Sequence, residues 1–127
     1  MVVMTEKFNE SFDSVSFSGI STDDPVILAN MQGFSGSDPA ALRYKNADSS
    51  SVDIKVEEEK SADFETSHAD NRLAFGAFSN GFLRENGRNV GEVGRVSFDQ
   101  PSGESWFGVD LAGQYQNPVV LMGPISA

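Results

Sequence analysis

Arg43, His68 and the carboxylates between Glu57 and Asp70 are the residues of this 127-residue chain best equipped for chemistry. Arg43 stands between Leu42 and Tyr44 in a strand-like stretch, so its side chain faces away from theirs. A guanidinium there offers a planar fork that fits vicinal hydroxyls or a carboxylate. Its purely structural role would be an ion pair with Glu57, Glu59 or Asp53 on a neighbouring strand. His68 is the single histidine, with Asp63, Glu65 and Asp70 close to it in sequence. In a binding site its contribution would fade in mild acid, since imidazole titrates near ~6.5; otherwise it caps a loop turn. Glu59, Asp63 and Glu65 supply oxygens of the kind calcium takes, about 6–8 at a time. The spacing Asp-x-Asp-x-Asp-Gly is absent, and a solvated acidic face accounts for the same residues.

Catalytic arrangements are missing. There is no Gly-x-Ser-x-Gly elbow, no His-x-x-x-His pair, no Gly-Lys phosphate cradle and no cysteine. The chain therefore reads as a non-enzyme. Without cysteine, disulfides and thiolate metal sites are also excluded. Nineteen acidic against nine basic residues give a net charge of −10, which repels nucleic acid and anionic membranes. No stretch approaches the ~20 apolar residues of a membrane span, so no membrane insertion is expected. The opening residues are not a signal peptide; a secreted parent would carry its export signal outside this chain.

The elements that must position these residues are strands. Val52, Ile54 and Val56 alternate with Asp53, Lys55 and Glu57, the period-two mark of a half-buried strand. Pro25 to Met31 and Pro118 to Met122 are apolar runs opened by proline, which a first strand position tolerates. The patterning predicts strands near 2–6, 13–18, 25–32, 40–46, 52–58 and 72–78, then 93–98, 106–111 and 118–123. Turn residues separate them, and no helical stripe is present. The fold class expected is all-β, a six-stranded antiparallel β-sandwich with extra C-terminal strands.

Those extra strands repeat the first ones. Ser11-Phe12-Asp13-Ser14-Val15-Ser16-Phe17, then Asp24-Pro25-Val26-Ile27-Leu28, returns as Ser105-Trp106-Phe107-Gly108-Val109-Asp110-Leu111, then Asn117-Pro118-Val119-Val120-Leu121. The period, about 94 residues, is that of a small domain and well above the ~20–50 of a solenoid unit. The expected organisation is a complete sandwich repeat over 1–80, a connector over 81–92 with a tight Asn86-Gly87 turn, and the opening strands of a second copy over 93–127. Trp106 matches Phe12, so both are expected in the same core slot. Strands of a partial copy need a partner: the first domain's sheet, a neighbouring chain, or further sequence.

The order of features resembles the H-type lectin domain, a six-stranded sandwich. Phe12, Phe17, Pro25-Val26-Ile27-Leu28, Leu42-Arg43-Tyr44 and His68 ahead of Leu73-Ala74-Phe75 carry the likeness in the first copy. Gly94-Arg95-Val96, Trp106 and Pro118-Val119-Val120-Leu121 carry it in the second. The sequence is similar also to tandem lectin-related repeats of large secreted bacterial proteins, through Asp38-Pro39, Arg43, Asn46, Glu57-Glu58-Glu59, Asp63-Phe64 and His68. Where the lectins have Gly-Phe this chain has Ser51-Val52, and glutamates with Phe64 replace a usual loop Trp. The resemblance implies sugar contacts from Arg43, His68 and an acidic residue of the first hairpin, here Glu10. Glu57 and Asp70 join them as loop carboxylates.

Two functions are thus expected. One is a non-catalytic, lectin-like module of a cell-surface or secreted protein, binding a glycan or polysaccharide without a cofactor, or with calcium on Glu59, Asp63 and Glu65. The alternative is a structural, self-assembling repeat of an adhesin, surface layer or virion appendage. In either case the partners include a second copy, as a homo-oligomer, or a tandem neighbour.

Overall fold

The computed structural model describes residues 2–3, 8–33, 39–58, 71–97 and 106–127, the first pair by backbone alone. Among them the chain is all-β, without a helix. The strands are β1 (Val2–Val3), β2 (Asp13–Ser16), β3 (Val26–Met31), β4 (Ala40–Lys45), β5 (Ser51–Glu58), β6 (Leu73–Phe78), β7 (Gly81–Glu85), β8 (Arg88–Val93) and β9 (Ile125–Ser126). They form three sheets, ordered β1-β6-β3, β2-β5-β4-β9 and β7-β8.

The chain divides into two compact units, one of 1–79 with 121–127 and one of 80–120. In the first, strand chemistry follows the alternation. Val52, Ile54 and Val56 on β5 are buried, while Ser51, Asp53, Lys55 and Glu57 point outward. On β4, Leu42 and Tyr44 turn inward and Arg43 and Lys45 outward. The β4–β5 turn is set by Asp48, whose carboxylate accepts the backbone N–H groups of Ser50 (2.7 Å) and Ser51 (2.8 Å). Asn46 enters it at φ +50°, a left-handed position that asparagine tolerates better than most residues.

The two larger sheets share one core. Phe8, Val15, Leu42, Tyr44, Val52, Ile54 and Val56 join Ile27, Leu73 and Phe75 in a single cluster. Phe17 tilts against Phe75 at 6.0 Å between ring centroids. Each fully buried aliphatic or Phe side chain contributes roughly 1.5–3 kcal/mol relative to exposure. The register follows from this packing: Ile27 pairs with Ala77, Ala29 with Phe75 and Met31 with Leu73, which keeps one apolar row on the inside. Residues 121–127 complete this unit. Ile125 and Ser126 run parallel to Arg43 and Tyr44, and the Ala127 N–H donates to the Tyr44 carbonyl at 2.7 Å.

The second unit is built on the β7–β8 hairpin, with Asn86 (φ +48°) and Gly87 (φ +77°) in a two-residue turn of the type that matches strand twist. A register shift falls between Leu83 and Arg84. Glu92 fastens the segment beyond it. Its carboxylate accepts N–H groups from Ala112 (2.9 Å) and Gly113 (2.8 Å) and the Tyr115 hydroxyl (3.2 Å).

Three expectations are corrected here. Residues 81–92, expected as a connector with a tight Asn86-Gly87 turn, are a β-hairpin closed by that turn. Its side chains are largely exposed on both faces, so no core imposed the alternation that would have marked it. The strands expected over 106–111 and 118–123 are absent, as is strand over 94–97. Among the described residues their apolar rows have no ladder partner, and a row alone does not make a strand. The strand expected over 13–18 ends at Ser16, and of the one near 2–6 only Val2–Val3 is described.

Candidate functional site

The outward face of β2, β5 and β4 gathers the polar chemistry of the first unit. Inward demand for apolar residues at alternate positions leaves Arg43, Lys45, Asp53, Lys55 and Glu57 together on the other side. Arg43 stands opposite Lys55, and Glu57 stands opposite the small Ala41. That vacancy lets the diagonal pair form: Arg43 Nε donates to Glu57 Oε2 at 2.6 Å. The second carboxylate oxygen accepts from Lys55 Nζ at 3.0 Å, so Glu57 bridges two cations. The Arg43 hydrogen bond first, then that of Lys55, holds the Glu57 carboxyl below the usual glutamate range. About a third of each side chain in the Arg43–Glu57 pair stays exposed, so the pair itself adds at most about 1 kcal/mol to stability.

Beside this triad lies an aromatic ring. Lys45 Nζ sits 4.1 Å from the centroid of Phe12 and Lys55 Nζ 5.2 Å from it. Asp53, opposite Lys45, accepts from Asn46 Nδ2 at 2.8 Å. Donors, acceptors and an apolar plane thus alternate across one sheet face. Such a mixture fits a polyhydroxylated ring better than a bare anion, since the three cations are accompanied by two carboxylates. No nucleophile–base pair occurs among these residues.

Arg43 and Glu57 are brought together as the cross-strand spacing allowed. Glu10 lies in the turn before β2, where the Ser11 N–H bonds Asn9 Oδ1 at 2.8 Å. Its Oε1 is buried without a hydrogen-bond partner among the described residues. His68, Asp70, Glu59, Asp63 and Glu65 lie outside the described residues. Among the described ones no group of three or more His, Cys, Asp or Glu could hold a metal ion.

Sequence reasoning missed Lys45, Lys55 and the surface role of Phe12. Phe12 was expected in the core, yet it is half-buried against the two lysines. The signal was parity: Val15 and Phe17 share one face, and a residue three before Val15 falls on the other. The Trp106 core slot is likewise corrected, because Trp106 is fully exposed (104%).

A second concavity, of about 640 Å³, opens between β3 and β4 beneath residues 121–125. Leu28, Met31, Phe75, Phe78, Met122 and Ile125 give it an apolar lining. It lacks the alternation of donors and acceptors found on the outer sheet face. No protein family, curated protein or solved structure matches the chain.

Proposed function

We propose that this chain is a non-catalytic carbohydrate-binding module of a cell-surface or secreted protein, carried on a lectin-like six-stranded sandwich. The observation that supports it is the grouping of Arg43, Lys55 and Glu57 beside the Phe12 ring on one outward sheet face. Guanidinium and ammonium groups donate to ring oxygens and the carboxylates of Glu57 and Asp53 accept from hydroxyls, while a sugar stacking on Phe12 takes the place of a lysine ammonium over the ring. A shallow site of this kind binds at around ~1 mM, about −4 kcal/mol, and gains useful retention through multivalent display.

The test is a glycan and polysaccharide binding screen with the protein displayed multivalently. A saccharide should bind the intact chain, and Arg43→Ala should lower binding at least about tenfold, the equivalent of one charge-assisted hydrogen bond. Phe12→Ala should weaken it less. Chelator should leave binding at this face unchanged, because its donor set is organic; sensitivity to chelator would assign the sugar to the acidic 57–70 segment instead. Failure of every saccharide to bind would remove the reading.

A further inference from the structure

We propose that residues 106–122 are an assembly segment that forms strands on a second copy of this chain, taking there the places that β2 and β3 hold. Two observations meet in this. The sequence 105–121 repeats 11–28, and in the first unit that pattern is core: Val15 is 1% exposed and Ile27 3%. The matching Val109 and Val120 are 52% and 69% exposed. The same side-chain row is buried once and bare once. Exposed apolar runs of this extent are rare on a monomer and mark contact surfaces.

What would cover the bare row follows from what covers the buried one. Val15 pairs with Val52 on β5, and Ala29 pairs with Phe75 on β6. Every copy of the chain carries those two strands, held there by its own β2 and β3, so 106–122 enters a second copy by strand exchange. The replacement keeps the apolar character of the row. Phe107 corresponds to Asp13, which stands across from the buried Ile54, and Met122 corresponds to Ala29. Leu111 in the place of Phe17 and Val120 in that of Ile27 give back part of this gain, so the exchange roughly conserves the apolar content of the row. Trp106 falls at the position of Phe12, between Lys45 and Lys55 of the receiving copy, where indole is the stronger partner for an ammonium. The charge of −10 opposes the encounter, so association strengthens with added salt.

The test begins with sedimentation of the full chain at rising protein and salt concentrations. A dimer is expected, growing with both. Val109→Asp and Val120→Asp alter side chains exposed in the monomer, so each variant should keep the circular dichroism of the native fold while sedimenting as a single chain. Because the chain has no cysteine, pairing can be trapped. Val109→Cys chains mixed with Val52→Cys chains under mild oxidant should give a disulfide-linked heterodimer, since residue 109 takes the place of Val15 opposite Val52. A chain that stays monomeric throughout overturns the proposal. So does a dimer that survives both aspartate variants, or one that forms without the 109–52 cross-link. Sugar binding by a monomeric variant would leave the lectin reading standing while the assembly reading falls.

Discussion

Among the described residues of the second unit, Glu92 gathers backbone and side-chain donors onto one carboxylate. Two amide N–H groups and a phenol converge on it, and the Gly113 and Ala112 amides hold its carboxyl below the ordinary glutamate value of 4.5. A depressed carboxyl contributes stability above that ordinary value and loses it as pH falls through the folded-state value. The Ala112 and Gly113 amides should accordingly be protected from hydrogen exchange near neutral pH and lose that protection as pH falls below 4.5 and through the lower folded-state value. Glu92→Gln should leave them exposed to exchange at neutral pH and remove the acid dependence. Unchanged protection in the variant would show that the contact does not order the segment. Tyr115 is pushed above its ordinary 10.0 by desolvation first and then by its bond to Glu92, so its share fades only in strong alkali. At this scale the sequence was half legible. Glu57 was one of three partners, with Glu59 and Asp53, that cross-strand spacing offered Arg43, whereas Glu92 meets residues about twenty positions away through a loop that no periodicity describes.

Elements were legible where one face had a core. β5 reads from its sequence because Val52, Ile54 and Val56 must all turn inward, and β3 and β6 read for the same reason. β7 and β8 did not, since a two-stranded ribbon wet on both faces imposes no alternation. The opposite error, strands expected over 106–111 and 118–123, has the complementary cause: alternation states which side wants burial, not whether a neighbouring strand is present to supply hydrogen bonds. The segment 121–127 illustrates the contrast, because its placement rests on backbone proximity more than on side chains. A Cβ at Gly123 would lie 2.5 Å from the Ile27 carbonyl oxygen and 3.4 Å from the Leu28 Cα, atoms held in the β3 ladder. Gly123→Ala should therefore cost about 1–3 kcal/mol, as overpacking against rigid atoms does. Gly108→Ala, with open space around the new methyl, should change stability by less than about 0.5 kcal/mol. Equal denaturant midpoints for the two variants would show that the segment does not press on β3.

At the scale of the molecule, one compact unit is assembled from two separate stretches of sequence, 1–79 and 121–127, with 80–120 inserted between them. Unbroken blocks of 1–80, 81–92 and 93–127 are what a linear reading of repeats suggests, because a repeat announces sequence kinship and says nothing about which strand a segment joins. Ile125 and Ser126 were available to any sheet edge, and they extend β4. A chain ending at residue 120 should then retain β2 to β6 but lose the β4–β9 ladder, the Ala127 bond to Tyr44 and the cover over the cavity beside Met31. Each backbone hydrogen bond is worth about 0.5–1.5 kcal/mol net, so the loss should be roughly 1–3 kcal/mol. For a unit of this size that lowers Tm by about 4–8 °C per kcal/mol. The comparison belongs at low protein concentration, where any dimer is dissociated and cannot add its own stabilisation. A truncated chain that melts with the full one would mean that 1–79 is self-sufficient and that 121–127 rests on it passively. A clear drop would mean that the segment which repeats β3 in sequence ends by bracing the sheet opposite, so that drawing 106–122 onto a second copy must also release the brace on β4. Assembly and stability of the first unit would then be coupled, and the Gly123→Ala substitution, by loosening the brace, should raise the dimer fraction at a fixed concentration.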